Sequence, residues 1–169
     1  MLRQGYGFTL IELVTVLVLV GILSLGAMGL FASKSGFSAS LAKDQFVAAV
    51  LQAQQRALAH RTASSAPVTL RVVQSPDEWF LSVFQGTAPT DTRCSTDNAA
   101  LFHDICLERA GAALSIAGVT MSDGATRDIT FAQNGNTNEP GSIEVVFTGE
   151  NRFTLCVTKT GFAFVGRCP

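Results

Sequence analysis

The chain changes its hydrophobic pattern twice. Phe8 to Ala32 is apolar on every face a helix could present, an unbroken run of 25 residues with one ionisable group, Glu12. Beyond it, Phe46, Val47, Val50, Leu51, Gln54 and Leu58 recur at helical spacing, with Lys43, Asp44, Gln52, Gln55 and Arg56 largely on the opposite face. This predicts one long helix over 8–61, apolar all round in its first half and amphipathic in its second. Gly36 is a point where the join could loosen, and Thr62–Pro67 ends the helix. From there the period changes to that of strands: Val68–Val73, Trp79–Phe84, Leu114–Val119, Ile129–Phe131, Ser142–Phe147, Phe153–Thr158 and Phe162–Val165. Turn residues separate them, among them Asn134-Gly135-Asn136 and Lys159-Thr160-Gly161. The last two strands read as a hairpin with glycine at a left-handed position. Residues 86–112 form a long insertion rich in Thr, Ala and Asp. The expected fold class is α+β: a long N-terminal helix, half of it membrane-spanning, packed on a small antiparallel β-sandwich-like head.

The first run is roughly 37 Å long as a helix, enough for a hydrocarbon core of about 30 Å. An ordinary secretory signal has a shorter apolar stretch followed by a small-residue cleavage site. Here the small residues near the end, Ser24, Gly26, Ala27 and Gly29, are interrupted by Leu25, Met28 and Leu30. A carboxylate near the end of a membrane helix is costly if unpaired, so Glu12 calls for a partner. One candidate is the positive end of its own helix; another is a cation on a neighbouring chain.

Gly7-Phe8-Thr9-Leu10-Ile11-Glu12-Leu13 resembles the processing and methylation site of type IV prepilins and type II secretion pseudopilins. The resemblance implies a prepilin peptidase that cuts between Gly7 and Phe8, N-methylation of Phe8, and a Glu12 that sets assembly register. It divides the chain into a leader (1–7), a transmembrane and assembly helix (8–32), the amphipathic half of the helix (33–62) and a periplasmic head (63–169). The protein is then expected in the bacterial inner membrane as a single-pass subunit, and afterwards in a pilus or pseudopilus. Its partners would be the peptidase, other pilins or pseudopilins in a helical fibre, and an inner-membrane assembly platform. Major pilins of this family often carry a proline within the helix. This helix has none, with Gly21, Gly26 and Gly29 in its place, which leans towards a minor subunit.

In the second half, Ile129-Thr-Phe131, Asn134-Gly135, Gly141-Ser-Ile143 and Phe153 to Gly161 are similar to the C-terminal pattern of the GspH/FimT group of minor pilins and pseudopilins. The insertion and its cysteines also resemble minor pilins of the mannose-sensitive haemagglutinin type. The function expected is that of a minor type IV pilin acting in initiation or near the tip. The alternatives are a GspH-like pseudopilin and an adhesive or DNA-binding tip module.

Four cysteines lie beyond residue 90, in two pairs each twelve apart: Cys94 and Cys106, Cys156 and Cys168. In an exported chain they can form disulfides, and pairing of neighbours is the simplest of three connectivities. A metal site built from Cys94, His103 and Cys106 is a rival with irregular spacing. Asn134, Asn136, Asn138 and Glu139 alternate like part of a calcium loop but lack aspartates, and such runs form turns without an ion. No metal or cofactor is therefore expected. His60 and His103 belong to no catalytic arrangement, and an enzyme is not expected. A net charge of −1 and a single arginine in the tail Gly161–Arg167 argue against nucleic acid as a partner.

Overall fold

In the computed structural model, residues 9–30, 34–59, 66–89, 94 and 104–169 are described, with the side chains of 23–30 left aside. Helix α1 spans Leu10–Leu30 and helix α2 spans Lys34–Ala59. Because 31–33 lie outside the described residues, the expected single helix is seen as these two pieces. The chain forms two units, Met1–Lys34 and Ser35–Pro169, each treated by itself.

The second unit is the head. Its strands are β1 (Val68–Gln74), β2 (Glu78–Gln85), β3 (Asp104–Glu108), β4 (Ala113–Ile116), β5 (Val119–Thr120), β6 (Thr126–Phe131), β7 (Ile143–Thr148), β8 (Arg152–Val157) and β9 (Ala163–Val165). They form a four-stranded sheet in the order β3-β2-β1-β6 and a five-stranded sheet in the order β5-β4-β7-β8-β9. Every strand pairing is antiparallel. The head is thus an antiparallel β structure with α2 packed on it, as the change of period implied.

The buried face of α2 is Ala39, Ala42, Phe46, Ala49, Val50, Ala53 and Ala57. Alanines supply most of this face, so the helix lies close to the sheets, and Phe46 is its one large anchor. The Phe46 ring meets Phe147 of β7 edge-on at 5.9 Å, and Phe147 meets Trp79 of β2 at 5.3 Å. This row joins the helix to both sheets, with ring edges against ring faces as the aromatic quadrupole favours. Trp79 is fully buried, and its indole N–H donates to Gln74 Oε1 at 3.0 Å. The Gln74 amide in turn donates to the Met121 carbonyl at 2.7 Å. A polar chain through the core is thereby satisfied, which buried polar groups require.

The structure departs from the expected strands in two places. The Leu114–Val119 strand is broken into a hairpin, β4 and β5, by Ala117 and Gly118 at φ 52° and 77°. Alanine in the left-handed region is uncommon, so the pattern reads through it as strand. The insertion 86–112, expected as a loop, contains β3, which pairs with β2 in register Phe80↔Cys106. The strand is only five residues long, with Ile105 and Leu107 its only alternating apolar pair, so it does not stand out in the insertion.

Ion pairs of Arg71 and Arg109 brace the head. Arg71 donates from Nε and Nη2 to both carboxylate oxygens of Asp128, at 2.8 and 2.7 Å. These hydrogen bonds raise the guanidinium pKa, against the opposing effect of burial. Arg109 bonds Asp123 and the Ser75 carbonyl, each at 2.6 Å, with its guanidinium 5.9 Å from the centre of the Trp79 ring.

Candidate functional site

Helix α1 begins with a reciprocal cap. The Thr9 backbone N–H donates to Glu12 Oε2 at 3.1 Å, and the Thr9 hydroxyl donates to the same oxygen at 3.0 Å. In return the Glu12 N–H donates to Thr9 Oγ1 at 3.3 Å. The first helical bond, Leu13 N–H to the Thr9 carbonyl, follows at 3.2 Å. This is a capping box, in which two otherwise orphaned backbone donors at the helix start are satisfied by a Thr and a Glu three residues apart. The carboxylate also lies at the positive end of the helix dipole. Thr9 is the functional side chain that the reading of the sequence passed over. The Thr-Leu-Ile-Glu spacing ahead of an apolar run was the signal for it.

Behind the cap, α1 leaves its apolar side chains uncovered. Leu10 is 82% exposed, and Ile11, Leu13, Val14, Val16, Leu17, Val18, Leu19, Val20 and Ile22 are exposed as well. Ten such side chains, at about 2 kcal/mol each, represent on the order of 20 kcal/mol of burial still to be gained. Soluble surfaces rarely leave so large an apolar area open. Among the residues whose side chains are described, which in α1 end at Ile22, no helix is long and apolar enough to cross a membrane. The rest of the apolar run, 23–32, lies beyond that stretch. Gly7 and Phe8, the expected cleavage point, lie outside the described residues.

In the head, Cys94 is bonded to Cys106 and Cys156 to Cys168, and among the described residues no cysteine is free. The first disulfide ties Cys94 to β3 within the insertion; the second ties β8 to the C-terminal tail. With its thiols consumed, the Cys94/Cys106 metal reading is overturned. His60 and His103 fall outside the described residues. The Asn134 side chain accepts from the Asn136 N–H at 3.0 Å, and Glu139 accepts from Arg127 at 2.8 Å. That segment therefore spends its oxygens on a turn and an ion pair. Arg167 is exposed, and earlier in the tail the Phe162 and Phe164 rings stack at 6.5 Å.

Residues 3–28 match the family model of the prokaryotic N-terminal methylation motif. No curated protein matches the chain. The fold is similar to the crystal structure of the type IV minor pilin FimU of Pseudomonas aeruginosa (strain PAO1), with a TM-score of 0.51 at 12% identity, over 76% of this chain and 92% of that one. The chain thus pairs a match to the prokaryotic N-terminal methylation motif with an uncovered apolar helix and a helix-packed antiparallel head that is pilin-like in fold.

Proposed function

We propose that the chain is a minor type IV pilin, cut between Gly7 and Phe8, N-methylated at Phe8 and added to a helical fibre with other pilins. The observation that carries this reading is the apolar surface of α1 with a single carboxylate, Glu12, in its first turn. A bilayer covers such a helix before assembly and neighbouring helices cover it afterwards. The leader is then 1–7, the anchoring and assembly helix 8–32, its amphipathic half 33–62 and the periplasmic head 63–169. A prepilin peptidase and an inner-membrane platform act on it in turn. A minor pilin is favoured over a secretion pseudopilin by the fold of FimU, itself a minor pilin.

Glu12 has two states in this account. In the free subunit it caps its own helix through Thr9. Cleavage creates an α-amine with a reference pKa near 8, cationic at neutral pH. In the fibre the carboxylate leaves the cap for a neighbour's amine, because two opposite charges in an apolar core are tolerable only as a pair. The energy given up is that of a cap, about 1 kcal/mol, and the hydrogen-bonded ion pair with the neighbour's amine replaces it.

Processing is tested by mass spectrometry of the N-terminal peptide of the membrane-extracted protein. The account predicts a mature chain starting at methylated Phe8. A chain that retains 1–7, or one cut beyond Phe8, contradicts it.

A further inference from the structure

The head carries an open groove at the corner where the chain passes from one sheet to the other. We infer that this groove takes up an extended peptide strand from a partner polypeptide, one with an apolar side chain and a carboxylate two residues apart. This holds independently of whether α1 enters a fibre.

The groove has a volume of about 270 Å³, and Ile116, Val119, Met121, Ala125, Thr126 and Arg127 line it. That is below the usual range of small-molecule pockets, about 300–1,000 Å³, and suits one or two side chains. Its floor is apolar, since Ile116 and Met121 are buried, and its lip is the 70% exposed Val119.

Two free strand edges flank it. β5 and β6 are terminal strands of the five-stranded and the four-stranded sheet respectively. The Thr130 carbonyl points away from β1, because it accepts from the Asn138 N–H at 3.0 Å. By the alternation of an antiparallel ladder, the N–H and C=O groups of Thr126 and Asp128 point the same way. Thr137 and Asn138 cover only the far half of this edge, by the bridge to Phe131 and the bond to Thr130. Among the described residues, nothing bonds the outward backbone groups of Thr126 and Asp128. An exposed edge of this kind is a template for a further strand.

Arg127 fixes the chemistry of the occupant. It lies on the same face of β6 as the buried Ile129 and Phe131 and lines the groove, with its side chain 42% exposed. One terminal nitrogen bonds Glu139 at 2.8 Å, but among the described residues the buried Nε has no acceptor. A buried guanidinium N–H favours a carboxylate oxygen. On an added strand, side chains on the inner face recur every second residue. One can fill the groove beside Val119 while the next brings its acid to Arg127.

The test uses the full-length protein in detergent and a short fluorescein-labelled peptide alternating threonine and valine, with one glutamate two places from a valine. Anisotropy should show saturable binding, and replacing the glutamate by glutamine should weaken it about tenfold, the scale of one charge-assisted hydrogen bond. Thr126→Pro removes an outward N–H while leaving the β1–β6 ladder bonds in place, and Val119→Glu places a charge at the lip. Both should abolish binding with an unchanged melting temperature. Absence of saturable binding, or equal binding by the parent and both variants, overturns the inference.

Discussion

Gly161 is where the head is least tolerant of a single added carbon. It lies in the turn between β8 and β9 at φ +81°, with its N–H donating to the Thr158 carbonyl at 2.8 Å. A Cβ built there would sit 2.0 Å from the Gly135 carbonyl oxygen and 3.1 Å from Gln54 Nε2. The obstacle is backbone, and it is held: Thr137 N–H bonds the Lys159 carbonyl at 2.9 Å, and Gln54 Nε2 bonds the Thr160 carbonyl at 2.8 Å. In Gly161→Ala the left-handed backbone costs about 1–2 kcal/mol, and prising the two turns apart adds about 1–3 kcal/mol, as overpacking does. The total is about 2–5 kcal/mol, or on the order of 10 °C in melting temperature for a head of this size. Gly118→Ala is the control: φ there is +77°, with nothing within 4 Å of the added carbon. It incurs only the backbone strain, about 1–2 kcal/mol. Near-UV circular dichroism of Trp79, packed edge-on against Phe147, follows the melting of full-length protein in detergent. If the two variants melt within a degree or two of each other, the close approach of the turns plays no part in stability.

Phe46→Ala should destabilise the head by about 3–5 kcal/mol, because it removes the one large side chain that α2 buries; urea titration checks it, and a loss under 1 kcal/mol refutes the anchoring role. Replacing Cys156 and Cys168 together by serine should cost about 2–4 kcal/mol, read in the same titration, with little change in the folded far-UV spectrum. Asp128→Asn removes the carboxylate whose hydrogen bonds raise the Arg71 pKa and should cost about 1 kcal/mol at neutral pH in the same titration; no measurable loss would show that the pair does not brace the head.

The β-rich head and the closing hairpin were legible because each rests on period or on a glycine in a turn. What the sequence hid has physical causes. The buried face of α2 is mostly alanine, which carries too little hydrophobicity to mark a stripe beside Val47 and Leu51. Ala117 adopts a left-handed turn conformation without the Asn or Asp that would announce it, so β4 and β5 read as one strand. β3 is an edge strand of five residues, and its one alternating pair, Ile105 and Leu107, is too short a run to stand out inside a polar insertion. At the N-terminus Glu12 drew attention as an isolated acid, whereas Thr9 looked ordinary. Only the geometry shows that the two form one unit. The long-range facts, such as the Phe46–Phe147–Trp79 row, depend on which strands meet and have no local signature.

The central claim is that the charge of Glu12, and not its capping of α1, drives entry into the fibre. Glutamine at the same position can still close a capping box, so Glu12→Gln separates the two roles, and Thr9→Ala weakens the cap while keeping the charge. The decisive measurement is the fraction of each processed variant recovered in sheared, purified fibres relative to the membrane fraction. The account predicts that Glu12→Gln is processed but nearly absent from fibres, while Thr9→Ala enters them close to the parent level. Normal incorporation of Glu12→Gln would contradict it.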